Sequence, residues 1–328
     1  MKAPIFRIAA AVLLAQSLPA AEQGRPIHTY SIVAIDKRTG DMGVAVQSHW
    51  FSVGSIVTWA EAGVGVVATQ SFVEPSYGPL GLELMKAGKP AADALAGLLR
   101  SDPNEAVRQV AFLDARGRVA AHTGKNCIAE AGHFVGDGFS CQANMMLRDT
   151  VWTAMAKAFE NTGGELVDRL LAALEAAEAE GGDIRGRQSA AVVVVKSAGS
   201  GFWWKDRLYD LRVEDSPAPL PELKRLVRLN RAYNRMNRGD ELMTENKVGE
   251  AVKEYAAAME MFPQNAEMIF WPAVTMASTG RVEESLPLFR KVFAMDRNWA
   301  TLLARLPAVG QFPKDEALLK KVLEQAPR

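Results

Sequence analysis

Cysteine is nearly absent from this chain: 328 residues contain two, Cys127 and Cys141. Two thiols exclude a disulfide-rich scaffold, and without a supporting histidine pattern they make no zinc motif. Histidine is almost as sparse, and His28, His49, His122 and His133 form no pair at metal-ligand spacing. An excess of one charge is also missing, since 38 basic residues meet 38 acidic ones. That balance recommends neither nucleic acid nor an anionic membrane surface as a partner. Phosphate-binding glycine loops, a paired-histidine zinc helix and a Gly-x-Ser-x-Gly elbow are lacking as well. The motifs therefore name no reaction, and neither a metal nor a cofactor is expected.

What is present begins with a leader. Lys2 and Arg7 precede an apolar run from Ile8 to Leu18, and Pro19-Ala20-Ala21 supplies small residues for a signal peptidase. Residues 1–21 read as a signal peptide, which predicts a periplasmic or secreted protein starting near Ala21 or Glu22. Loss of Lys2 and Arg7 leaves 36 basic against 38 acidic residues, a net charge of about −2. No other stretch is apolar enough to span a bilayer, so no membrane partner is expected after removal of the leader. In an oxidising compartment Cys127 and Cys141 could pair, or remain as two buried thiols.

From Thr29 the pattern is that of strands. Thr29 to Asp36 and Met42 to Gln47 flank a turn and predict a hairpin. Further strands are expected at 55–59, 64–69, 109–114, 119–122, 139–143, 189–196 and 208–214, the four valines at 192–195 suiting a strand buried on both faces. Helical pairs are expected at 80–87 with 90–99, and at 150–160 with 165–180. This succession predicts an α+β unit over 29–215, with sheets stacked between helical layers.

Three prolines in 216–221 mark a boundary, and residues 222–328 read as helical throughout. Lys247-Val-Gly-Glu-Ala251 and Tyr255 recur 34 residues later as Arg281-Val-Glu-Glu-Ser285 and Phe289, the tetratricopeptide period. Asn246 and Gly280 precede the two copies and both tolerate a left-handed cap. Helices at 223–237 and 315–325 are expected to cap the pair.

Small hydroxyls, amides and charges collect at expected strand ends, in 47–51, 68–71, 121–124, 141–144 and 182–189. The segments Thr29-Tyr-Ser-Ile-Val-Ala, Gly43-Val-Ala-Val-Gln-Ser48, Ala68-Thr-Gln-Ser71, Pro75-Ser-Tyr-Gly-Pro79, His122-Thr-Gly124, Gly182-Asp-x-Arg-Gly186, Gln188-Ser-Ala-Ala191 and Asp206-Arg-Leu-Tyr-Asp-Leu-Arg-Val213 together resemble the bacterial domain-of-unknown-function family 1028 over about residues 29–229. The helical remainder is similar to a domain, often attached to that family, that is described as peptidoglycan-binding.

The resemblance implies a four-layer αββα sandwich like that of N-terminal-nucleophile hydrolases, followed by an all-α tetratricopeptide-like domain. In such enzymes the first residue attacks an amide while its own α-amine, which ordinarily titrates near pH 8, accepts the proton. By position Thr29 would be nucleophile and base, with Asp183 and Arg185 as further catalytic candidates and Ser48, His122 and Asn144 as substrate-binding ones. About eight residues would precede Thr29 after signal removal, so this chemistry needs a second cut after His28. Two functions are thereby expected: hydrolysis of a small amide or peptide in the cell envelope, or a non-catalytic envelope module whose helical part binds a peptide or peptidoglycan component.

Overall fold

A computed structural model describes residues 29–327. The signal-peptide expectation lies outside the described residues. Along the chain come β1 (Thr29–Ile35), β2 (Met42–Ser48), a one-turn helix α1 (Gly54–Val57), β3 (Thr58–Glu61), β4 (Gly65–Ser71), α2 (Tyr77–Lys86) and α3 (Ala91–Ser101). These are followed by β5 (Arg108–Asp114), β6 (Val119–Thr123), β7 (Gly132–Gly136), β8 (Phe139–Asn144), α4 (Val151–Asn161), α5 (Leu166–Ala179), β9 (Ser189–Val195), a second one-turn helix α6 (Trp203–Asp206) and β10 (Arg207–Val213). The remainder is helical: α7 (Pro219–Thr244), α8 (Val248–Met261), α9 (Ala266–Ser278), α10 (Val282–Met295), α11 (Asn298–Arg305) and α12 (Glu316–Leu323).

The strands form two antiparallel sheets, one of order β10-β9-β2-β1-β8-β7 and one of order β3-β4-β5-β6. Period-two alternation decides which face each side chain joins. Val33, Val44, Val46, Val193 and Val195 of the larger sheet meet Val66, Ala68, Ala111 and Leu113 of the smaller, forming the core between the sheets. The opposite set, Ile32, Ala45, Cys141, Val192 and Val194, packs under Met155 and Phe159 of α4 and Leu170 and Leu174 of α5. On the far side Val67, Val110 and Phe112 pack against Tyr77 and Leu82 of α2 and Leu95 of α3. The sequence of layers is helix, sheet, sheet, helix.

Three features of this part differ from, or add to, the sequence reading. The pattern at 55–59 predicts a strand, but α1 occupies 54–57 and β3 begins at Thr58. The backbone of Gly54 lies so close to β9 that a Cβ there would stand 2.5 Å from Ala191 Cβ, which lets this turn press Val53 and Val57 into the inter-sheet core. Strand β7 escapes the pattern because its sequence, Gly-His-Phe-Val-Gly, is a short edge strand with Phe134 and Val135 exposed. Of the two cysteine alternatives, the pairing is not formed: Cys127 sits half-buried in a loop, its Sγ donating to the Arg108 carbonyl at 3.4 Å, while Cys141 is buried facing the α4 layer, and both thiols are free.

The helical part follows the repeat. Ala251, Tyr255, Ser285 and Phe289 are fully buried on α8 and α10, and Asn246 and Gly280, at φ of +60° and +86°, reverse the chain just before each copy. Gly239 of α7 has no side chain because the Tyr255 ring lies there: a Cβ would stand 2.3 Å from its Cε1. Helix α7 belongs to both parts. Leu220, Leu223 and Val227 complete the core under α5, whereas Ala232, Met236 and Leu242 belong to the core with Tyr255. Arg231 at its middle pairs with Glu165 and Asp168 at the start of α5, at 2.9 and 2.7 Å. Among the described residues no helix is long and apolar enough to cross a membrane.

Candidate functional site

The core between the sheets is apolar at one end and polar at the other. Where β1 begins and β4 and β8 end, the alternation that elsewhere places valine inside places Thr29, Ser31, Gln70, Gln109, Gln142 and Asn144, all fully buried. These side chains form one network. Ser31 Oγ donates to Gln70 Oε1 and accepts from Gln142 Nε2, each at 2.6 Å. Gln70 Nε2 donates to Gln109 Oε1 at 2.7 Å and to the Thr29 carbonyl at 3.2 Å. Gln109 Nε2 in turn donates to Thr123 Oγ1 and to the carbonyls of Ala143 and Gly132, at 2.9, 2.8 and 3.2 Å. A hydroxyl–imidazole contact of 2.8 Å between Thr123 and His133 closes the row, and burial, then the neighbouring His122, holds His133 below the ordinary histidine pKa.

Thr29 stands at the edge of this network. It faces Ser48 across β2 and Asn144 across β8, its Oγ1 donating to Ser48 Oγ at 3.2 Å. Asn144 Nδ2 donates to Gln109 Oε1 at 2.9 Å and reaches the Thr29 carbonyl at 3.5 Å, while its buried Oδ1 lacks a hydrogen-bond partner. The backbone turns sharply beside these groups. Ser71 after Gln70 and Met145 after Asn144 have φ of +70° and +56°, a strained region for residues other than glycine.

Asp183 caps the same end of the larger sheet. Its Oδ2 accepts from the backbone N–H of His49 at 3.0 Å, and its carboxylate is held by Arg185 through Nε at 3.1 Å and the outer guanidinium nitrogen at 2.8 Å. A backbone bridge from Met146 to Asp183 fixes the loop there. The fold thus gathers Thr29, Ser48, Asn144, Asp183 and Arg185 at one sheet end. His122 lies apart from this group: it shares the outer face of β6 with Ala120, away from the inter-sheet layer, and its Nε2 meets the Glu105 carbonyl at 2.9 Å. Its neighbour Thr123 points inward instead.

Sequence reasoning passed over Gln109, His133 and Ser31 as site residues. The signal available was a polar residue at alternate positions of an otherwise apolar strand, as in Tyr30-Ser31-Ile32 or Gln109-Val110-Ala111. On the opposite face of β1 and β2, Tyr30 and Gln47 both donate to Glu178 of α5, at 2.5 and 3.0 Å, and Arg187 pairs with the same carboxylate. Burial, then Glu178, pushes the Tyr30 hydroxyl well above the ordinary tyrosine pKa. Among the described residues no cluster of three or more histidine, cysteine, aspartate or glutamate side chains could hold a metal ion.

Comparison with known proteins gives three likenesses. Tetratricopeptide repeat protein 8 of Caenorhabditis elegans is 31% identical over 129 residues, covering 35% of this chain; the chain spans about a quarter, 24%, of that protein. The crystal structure of protein SPO2555 from Silicibacter pomeroyi, itself assigned to DUF1028, superposes with a TM-score of 0.55 at 29% identity, over 61% of this chain and 88% of that one. Residues 29–223 match the family of unknown function DUF1028, a span that begins at Thr29 and takes in both sheets and every residue of the polar network. With more than half of its length inside that match, and a solved family member sharing its fold, this chain belongs to DUF1028.

Proposed function

We propose that residues 29–215 form an exported amide hydrolase of the N-terminal-nucleophile type, acting on a small amide or peptide, with residues 222–328 as an attached tetratricopeptide-like unit. The observation that carries this reading is the place of Thr29: it opens a central strand of the six-stranded sheet, faces the second sheet, and lies between Ser48 and Asn144. The two facing antiparallel sheets between helical layers support the αββα fold of that enzyme class. A network of amides and hydroxyls supplies orientation but little basicity, so the base in this chemistry is the α-amine exposed by cutting after His28. Thr29 Oγ1 attacks the substrate carbonyl carbon and the amine takes its proton; the C–N bond then breaks, the proton passes to the leaving amine, and water hydrolyses the ester. Asn144 Nδ2, oriented by Gln109, is the candidate oxyanion donor. Asp183 and Arg185 hold the strand end in place, and Ser48 steadies the hydroxyl.

A second reading, a non-catalytic binding module, draws on the helical part. A cavity of about 520 Å³ there is lined by Asp240, Trp271, Thr275, Gln311 and Phe312, a size and composition suited to a side chain of a peptide or a peptidoglycan stem. One experiment separates the readings. Chains beginning at Thr29 and at Glu22 are treated with an electrophilic probe for a hydroxyl beside an amine and mapped by mass spectrometry. The hydrolase reading expects a single adduct on Thr29 of the trimmed chain and none there on the longer one. No adduct on a folded trimmed chain would leave the binding module as the better account.

A further inference from the structure

The connection from β9 to β10 is unlike the rest of the surface. Every residue from Lys196 to Lys205 is exposed, and three consecutive aromatics project from it: Phe202, Trp203 and Trp204, at 48, 65 and 59% exposure. Together these residues expose roughly 400 Å² of largely aromatic surface, the size of the largest apolar patch on an ordinary monomer, which is often a functional one. The base of the loop is fixed. Asp206 is buried, its Oδ2 accepting from Ser200 N–H at 2.8 Å and its carbonyl from Lys196 N–H at 2.9 Å. The loop contains no acidic residue, and among the described residues neither Lys196 nor Lys205 forms an ion pair. Lys205 lies 5.0 Å over the Phe202 ring, and the Arg207 guanidinium 5.0 Å over that of Trp203.

From this we infer that the 196–205 loop docks on an anionic lipid surface, the three rings entering the headgroup boundary and the two lysines meeting lipid phosphates. Indole and phenyl rings with flanking ammonium groups match a bilayer interface, where an apolar body and a cationic tip are both accommodated. The ring planes are crossed, Phe202 to Trp204 at 60° and Trp203 to Trp204 at 88°, so they offer no flat platform for a sugar. The near-neutral charge of the whole chain conceals two cations on the loop itself, which stand outward of Asp41 and Asp206 at its base. The register of β2 with β9 puts the loop at the sheet end opposite Thr29, so a docked protein keeps its polar network facing away from the lipid.

Vesicle flotation tests the inference with a chain starting at Glu22, which keeps every described residue and omits the apolar leader that would itself enter lipid. Vesicles of phosphatidylcholine alone are compared with equal parts phosphatidylcholine and phosphatidylglycerol. The expected result is binding to the anionic vesicles, about tenfold weaker to the neutral ones, and a loss of about tenfold or more for Trp203→Ser with Trp204→Ser and for Lys196→Glu with Lys205→Glu. Circular dichroism confirms that the variants are folded. Failure of the parent chain to float with either vesicle, or equal flotation of both variants, overturns the inference. So does a lipid-free change of oligomeric mass on tryptophan replacement, which would assign the loop to a contact between copies.

Discussion

Gln109 is the residue on which the polar layer between the sheets converges, and Gln109→Leu tests whether that layer holds the fold. The replacement keeps a similar volume but removes an acceptor for Gln70 and Asn144 and a donor to Thr123 and two carbonyls. The losses are unequal. Gln70 retains the Thr29 carbonyl at 3.2 Å, and Thr123 retains His133 at 2.8 Å. Asn144 is left with the Thr29 carbonyl at 3.5 Å, a marginal bond, and its Oδ1 already has no partner. One stranded buried amide costs about 1–3 kcal/mol, and the weakened neighbours bring the expected destabilisation to about 3 kcal/mol. Urea unfolding followed by circular dichroism gives the total, and native-state hydrogen exchange of the β5 and β8 amides separates it from any change in the helical array. A loss below about 1 kcal/mol would refute the reasoning, because the amides would then find partners without Gln109.

Tyr255→Ala empties a fully buried ring from the helical core and should cost about 3–5 kcal/mol in urea unfolding, with Gly239→Ala costing about 1–3 kcal/mol by pressing on the same ring. A change below about 1 kcal/mol for Tyr255→Ala would show the repeat alignment to be wrong. Burial, then its hydrogen bond to Glu165, pushes the Tyr209 hydroxyl up to about 12. The folded state thus favours the protonated phenol, a stabilisation complete below the unfolded value near 10 and lost as pH rises toward 12. Tyr209→Phe should reduce, without abolishing, the loss of stability across that alkaline window, since burial and Glu178 raise Tyr30 as well, and an unchanged slope would remove Tyr209 as a contributor.

Much of the scaffold was legible because its pattern is carried by apolar residues. The valines of β9, the hairpin of β1 and β2, and the 34-residue recurrence of Tyr255 as Phe289 each correspond to a buried face. The candidate site was half legible for the same reason. Ser48 and Asn144 lie at strand ends and Asp183 in the loop before β9, where polar clusters attract notice, whereas Ser31 and Gln109 are polar residues inside strands and read locally as solvent-facing. Only the presence of a second sheet turns them inward. His122 and Thr123 show the limit of resolution: a motif in sequence spans two faces of one strand, and the register alone decides which residue enters the layer. Helix α1 depends on the closeness of Gly54 to Ala191, 137 positions away in the chain, and no local pattern encodes it.

Helix α7 has a consequence for how this chain can change over evolutionary time. Its 26 residues form a shaft of about 39 Å, with one end seated in the sheet core and the other in the helical core. Relative orientation is therefore set by helical phase rather than by a swivel. One residue inserted between Val227 and Ala232 would turn the helical array by about 100° and advance it about 1.5 Å, breaking the Arg231 pairing with α5 on the way. An insertion at Asp215 or Ser216, before the shaft begins, leaves that phase untouched. Length variation among relatives with the same attached helices should accordingly gather before Pro219 and spare the middle of α7, or else occur there in steps close to whole turns.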